Sequence, residues 1–147
     1  MKEKKFKNIL IATDGLTHTQ DAIYTAIEFA KVTSSRLHAI SVIDTNIIIK
    51  VGDAACNLYD ELKKEADLAI EDIVEKVKDM EIIKYIVEGK PSEEIIKCIE
   101  KNNIDIVIMG TTKKTGLSKF LIGSVSEDVL RKSKIPVMIV PEYTGVI

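Results

Sequence analysis

A chain of 147 residues, 46% hydrophobic and 30% charged, is long enough to bury one core and too apolar to remain disordered. Lys and Arg total 21 against 23 Asp and Glu, and the formal charge of −2 gives no global attraction to nucleic acid or to an anionic membrane. No apolar run reaches a membrane span and no signal-peptide segment opens the chain. Cys56 and Cys98 stand far apart without ligand spacing, so the expectation is one cytoplasmic domain over 1–147 with free thiols.

Lys2, Lys4, Lys5 and Lys7 surround only Phe6 and read as a solvated leader. Asn8–Thr13 is a continuous apolar run, the mark of a strand buried on both faces, and Asp14-Gly15 stops it. Ala22, Ala26, Phe29 and Ala30 recur at helical spacing, with Thr17 and Gln20 spaced as a capping box. A second strand spans Leu37–Ile43. Ile47, Ile48 and Ile49 then form either a short strand or a packed loop, broken at Gly52-Asp53. That segment either covers a pocket, meets another chain or simply packs.

The longest helix is expected from Asn57 to Asp79, with Leu62, Ala66, Ala69, Ile73 and Val77 as its apolar stripe. A third strand, Ile82–Val87, ends at Glu88-Gly89. Pro91 opens a helix, because its missing N–H costs nothing in a first turn, and Glu93 and Glu94 suit the positive end of the dipole. Ile95, Ile96 and Ile99 form its core face, with Cys98 beside them as a buried, inert thiol. Ile104–Met109 is a fourth strand ending at Gly110, followed by a polar loop, Thr111–Ser118, and a short apolar piece, Phe120–Ile122. A last helix runs from Ser124 to about Ser133, and Val137–Val140 is the final strand between Pro136 and Pro141.

Alternating strands and helices imply an α/β fold: a Rossmann-like, open, five-stranded parallel sheet covered on both faces, with right-handed crossovers. Ligands of such sheets bind at the carboxyl ends of the strands where the winding reverses. A reversal between the first and fourth strands would make Asp14 and Gly110 neighbours. His18 is expected at the surface and His38 as a satisfied strand residue; neither has a partner in triad logic, and two His are too few for a His-rich metal site.

The loop from Gly110 to the helix at Ser124 carries the clearest chemical signal. Gly110 lets a ligand approach the backbone, Lys113 and Lys114 add positive charge, and Gly123-Ser124 precede free helix N–H groups that attract anions. Phosphate is the natural guest, although no Walker A pattern is present. The same residues also read as plain structure: Ser124 and Glu127 as a capping box, Gly123 as a turn, the two Lys as a solvated loop.

The ordered set Ile9-Leu-Ile-Ala-Thr-Asp14-Gly15, Val42-Ile43-Asp44, Gly89-Lys90-Pro91, Asp105-Ile-Val-Ile-Met-Gly110 and Ser133-Lys134-Ile135-Pro136-Val137 resembles the universal stress protein family from Ile9 to Val140. ATP-binding members show Gly, two residues, Gly, nine residues, Gly, then Ser or Thr. Here Gly110, Gly123 and Ser124 match, while Lys113 stands at the second Gly, and Gly116 has the wrong spacing to replace it. Lys113 gives up the conformational freedom of Gly but brings an ammonium that can meet phosphate.

The resemblance implies an adenine nucleotide, ATP with Mg²⁺ on its phosphates, held by Ala12, Thr13, Asp14, Val42, Gly110, Lys113, Gly123, Ser124 and Val125. Asp14 and Val42 would meet the nucleoside, Gly110 the ribose, and Gly123 with Ser124 the phosphates. Read without the resemblance, Asp14 is a turn residue and Val42 is core. The resemblance further implies a stress-response regulatory module, homodimeric through the last strand and acting on an unidentified protein partner; from charge and hydropathy, neither nucleic acid nor membrane is expected as a partner. The alternatives are a dimeric interaction protein without nucleotide, or a slow ATPase, for which no strong general base is evident near the phosphates.

Overall fold

The computed structural model describes residues 6–14, 19–49, 52, 55–111 and 122–142. Its elements are β1 Asn8–Ala12, α1 Gln20–Thr33, β2 Arg36–Asp44, α2 Thr45–Ile49, α3 Ala55–Lys76, β3 Ile82–Gly89, α4 Pro91–Lys101, β4 Ile106–Gly110, α5 Ser124–Lys132 and β5 Val137–Val140. The five strands form one parallel sheet in the order β3-β2-β1-β4-β5.

The apolar runs of β1 and β4 follow from their central place. Ile9 and Ile11 face one helical layer with Ile106 and Ile108, while Leu10 and Ala12 face the other with Val107 and Met109. On the first face Ala22, Ile23, Ala26 and Ile27 of α1 meet Ile70 and Ile73 of α3; on the second lie Ile95, Cys98 and Ile99 of α4 and Val129 of α5. Ile9, Leu10 and Ile11 are wholly buried, and each such side chain contributes about 1.5–3 kcal/mol through removal from water.

The helices change faces because the chain changes direction. From β1 it steps outward to β2 and β3 with α1 and α3 on one side. It then returns across the sheet to β4 and β5 with α4 and α5 on the other. Crossovers of one hand require that swap. The reversal lies between β1 and β4, so their carboxyl ends diverge from a common crevice.

Several local expectations need correction. The leader is not wholly solvated: Phe6 packs edge-on against Phe29, with ring centroids 5.3 Å apart, and joins the α1/α3-side core. The three isoleucines form neither strand nor loop but end the one-turn helix α2, started where Asn46 N–H donates to Asp44 Oδ1 at 3.0 Å. Ile47 and Ile49 remain exposed there. Helix α3 stops at Lys76, yet Val77 beyond it is buried, so the apolar stripe outlasts the helix. Gln20 is the first residue of α1 and its Nε2 donates to Asp72 Oδ2 at 3.0 Å instead of closing a capping box. Thr17, His18, Asp53, Thr112–Ser118 and Phe120–Leu121 lie outside the described residues.

His38 is a satisfied interior residue. Its Nε2–H donates to Asn8 Oδ1 at 3.0 Å and its Nδ1 accepts from Tyr85 O–H at 2.8 Å, with the two rings parallel. Burial first, and Arg36 second, hold its pKa below the usual value, so the imidazole is neutral.

Candidate functional site

A cleft of about 200 Å³ opens where the winding reverses. Its floor is apolar, from Ala12 on β1, Ile40 and Val42 on β2, Met109 on β4 and Ile95 on α4. Its polar lining comes from Thr13, Asp14, Thr19, Gly110, Gly123, Ser124 and Ser126. An apolar base with a few converging polar groups is the usual build of a small-molecule site.

The β1 side is held by hydrogen bonds across the sheet end. Thr13 N–H donates to Ile40 O at 3.0 Å, which carries the β1–β2 ladder one step past β1. The Thr13 and Thr19 hydroxyls meet at 3.4 Å, joining the end of β1 to the start of α1. Asp14 is exposed.

Two helix N-termini border the cleft. Gly123 caps α5 in an extended conformation with no side-chain cap bond, and the first intrahelical bond runs from Glu127 N–H to Gly123 O at 2.9 Å. The amides of Ser124, Val125 and Ser126 therefore have no carbonyl of their own helix to reach, and they add to the positive end of the dipole. The expected capping box does not form: Ser124 is the first helical residue, one place past the cap, and Glu127 pairs with Arg131 at 2.6 Å instead. Helix α4 starts at Pro91, which lacks an N–H, and its first bond is Glu94 N–H to Lys90 O at 3.0 Å.

Ser126, missed by the sequence reading, is buried and donates its hydroxyl to Gly110 O at 3.2 Å. It ties the start of α5 to the end of β4. Thr111 follows Gly110, and its Oγ1 is buried with no partner among the described residues. An unpaired buried hydroxyl costs about 1–3 kcal/mol.

Of the residues expected at a ligand site, Ala12, Thr13, Asp14, Val42, Gly110, Gly123, Ser124 and Val125 all line this one cleft. Lys113 lies outside the described residues. The sequence reading did not name Thr19, Ile40, Pro91, Ile95, Met109 or Ser126 as cleft residues. Ile40 and Met109 sit in strands already read as core, and Pro91 had been read only as a helix start. Cys98 lies elsewhere, buried under α4, where burial pushes its thiol pKa up and away from reactivity. Among the described residues no cluster of three or more His, Cys, Asp or Glu could hold a metal ion. No helix among them is long and apolar enough to cross a membrane.

Comparison with known proteins agrees with this architecture. The model of the universal stress protein family matches residues 5–141. Universal stress protein MJ0531 of Methanocaldococcus jannaschii is 35% identical over 145 residues, covering 94% of this chain and 84% of the relative. The solved structure of MJ0577, from the same organism, superposes with a TM-score of 0.79 at 34% identity, over 93% of this chain and 96% of that one. A universal stress protein solved in complex with cAMP shares the fold, with a TM-score of 0.64 at 22% identity, over 95% of this chain and 100% of the other. With the family match spanning every strand of the sheet, the chain belongs to the universal stress protein family.

Proposed function

We propose that the switch-point cleft binds an adenine nucleotide, ATP in the first instance, and that occupancy regulates the protein's dealings with a partner. One observation carries this reading: the carboxyl ends of β1 and β4 and the open N-terminus of α5 converge on a single cleft with an apolar floor. The apolar side chains of Ala12, Ile40 and Val42 suit a flat heteroaromatic base, and the amides of Ser124–Ser126, which have no carbonyl of their own helix to reach, suit phosphate. A fold neighbour solved with cAMP is consistent with it. Mg²⁺ would be carried by the phosphates of such a ligand.

The test is calorimetric titration of nucleotide-free protein with Mg-ATP, beside a Lys113→Gly variant. Saturable binding of the natural sequence at roughly micromolar Kd is expected. If only the variant binds, Lys113 blocks the site and the protein acts without nucleotide.

The same reading includes a homodimer through β5. The two sheet edges differ: β3 presents exposed Lys84 and Glu88, whereas β5 is Val-Met-Ile-Val, partly exposed along its whole length. Charged residues protect an edge from pairing, and an uncharged apolar edge invites it. Met138→Lys should sediment as a monomer under conditions where the natural chain is dimeric; a dimer that persists in the variant removes β5 as the interface.

A further inference from the structure

Helices α4 and α5 wall the cleft from one side, α4 through Pro91 and Ile95 and α5 through Ser124–Ser126. Among the described residues one polar side-chain contact joins them: the Ser92 hydroxyl donates to Asp128 Oδ2 at 3.3 Å. Ser92 is 2% exposed. It sits directly after Pro91 and one turn before Ile95, and Asp128 lies one helical turn after Ser124. On α4 the contact thus lies between the two cleft residues, and on α5 one turn past Ser124.

The second tie of α5 is the Ser126 hydroxyl on Gly110 O. A helix held at two points, to β4 through Ser126 and to α4 through Asp128, cannot shift its first turn without breaking one of them.

We propose that Ser92 and Asp128 are a positioning pair that fixes the first turn of α5 against α4 and so sets the affinity of the cleft for a phosphate-bearing ligand. The ligand half rests on the nucleotide reading above. The positional half can be read without any ligand.

Four variants separate the outcomes: Ser92→Ala, Asp128→Ala, the double variant, and Asp128→Asn, which keeps an oxygen for Ser92 to donate to. Calorimetry with Mg-ATP should show each alanine variant weakened about fivefold, the double variant no weaker than the worse single, and Asp128→Asn within about twofold of the natural chain. In ligand-free protein, amides of Glu127–Val129 should exchange about tenfold faster in Ser92→Ala, while those of α1 and α3 stay unchanged. Additive losses in the double variant, or Asp128→Asn as weak as Asp128→Ala, would overturn the pair. If the natural chain binds no nucleotide, the nucleotide reading and the ligand half fall together, and amide exchange decides the rest: faster exchange confined to α5 sustains the pair, and unchanged exchange overturns it.

Discussion

Gly89→Ala should lower the melting temperature by about 8 °C, the largest loss expected from removing no contact at all. Gly89 ends β3 with φ +148°, a conformation that costs a side-chain-bearing residue about 1–3 kcal/mol. A Cβ there would also lie 2.6 Å from Glu94 Oε1 and 2.7 Å from its Cγ. The Glu94 side chain can move, and its pairing with Lys97 at 3.1 Å is a surface interaction worth only about 0.3–0.5 kcal/mol. The backbone term therefore dominates, giving roughly 2–3 kcal/mol in all.

Two controls separate the causes. Gly52, at φ +59° with nothing among the described residues near its Cβ position, should lose only about 1–2 kcal/mol as Ala. Adding Glu94→Ala to Gly89→Ala should recover the steric part alone. A Gly89→Ala protein melting within about 2 °C of the natural chain would show that the strand end relaxes freely. The position matters for function as well as stability. Gly89 directs the chain from β3 into Pro91, and Pro91 and Ile95 are part of the cleft wall.

The sheet was legible because central strands leave a simple trace. Ile9–Ala12 of β1 and Ile106–Met109 of β4 are buried on both faces and all apolar, so the run reads as a strand without any need of alternation. Pro91 was legible as a helix start for a local reason, the absent N–H. An assumed reversal between the first and fourth strands made Asp14 and Gly110 neighbours, and the observed strand order supplies that reversal; Gly123 and Ser124 were legible from the loop that runs into a helix start, and the rest of the set from the family resemblance.

What was not legible depends on partners distant in sequence. Ser126 donates to a carbonyl 16 residues away, and Ser92 to a carboxylate 36 residues away. No spacing rule links such pairs. The Ser124/Glu127 box failed by one position: Gly123, which needs no side chain to cap, took the cap and moved Ser124 into the helix. The isoleucines of α2 favour a strand by side-chain type, but the Asp44–Asn46 turn ahead of them sets helical curvature first. Phe6 read as solvent-exposed because its neighbours are lysines, although its partner Phe29 lies on α1.

Val42→Phe should weaken Mg-ATP binding by roughly 100-fold while leaving the melting temperature within about 3 °C. Val42 is only partly buried and lies on the cleft floor beside Ala12 and Ile40, so the larger ring enters the cleft instead of the core. A base displaced from that floor loses on the order of 100 Å² of apolar contact, and at about 25 cal/mol per Å² this is about 2.5 kcal/mol, close to two decades in Kd. A ligand held only by its phosphates would behave otherwise, because the α5 amides belong to a different element of the cleft from residue 42. Inorganic triphosphate is the discriminating probe. If it binds equally well to natural and Val42→Phe protein while ATP does not, the apolar floor holds the base and the helix end holds the phosphates. If ATP binds Val42→Phe as tightly as the natural chain, the base does not sit against β2, and the division of the cleft into an apolar base end and a phosphate end must be abandoned.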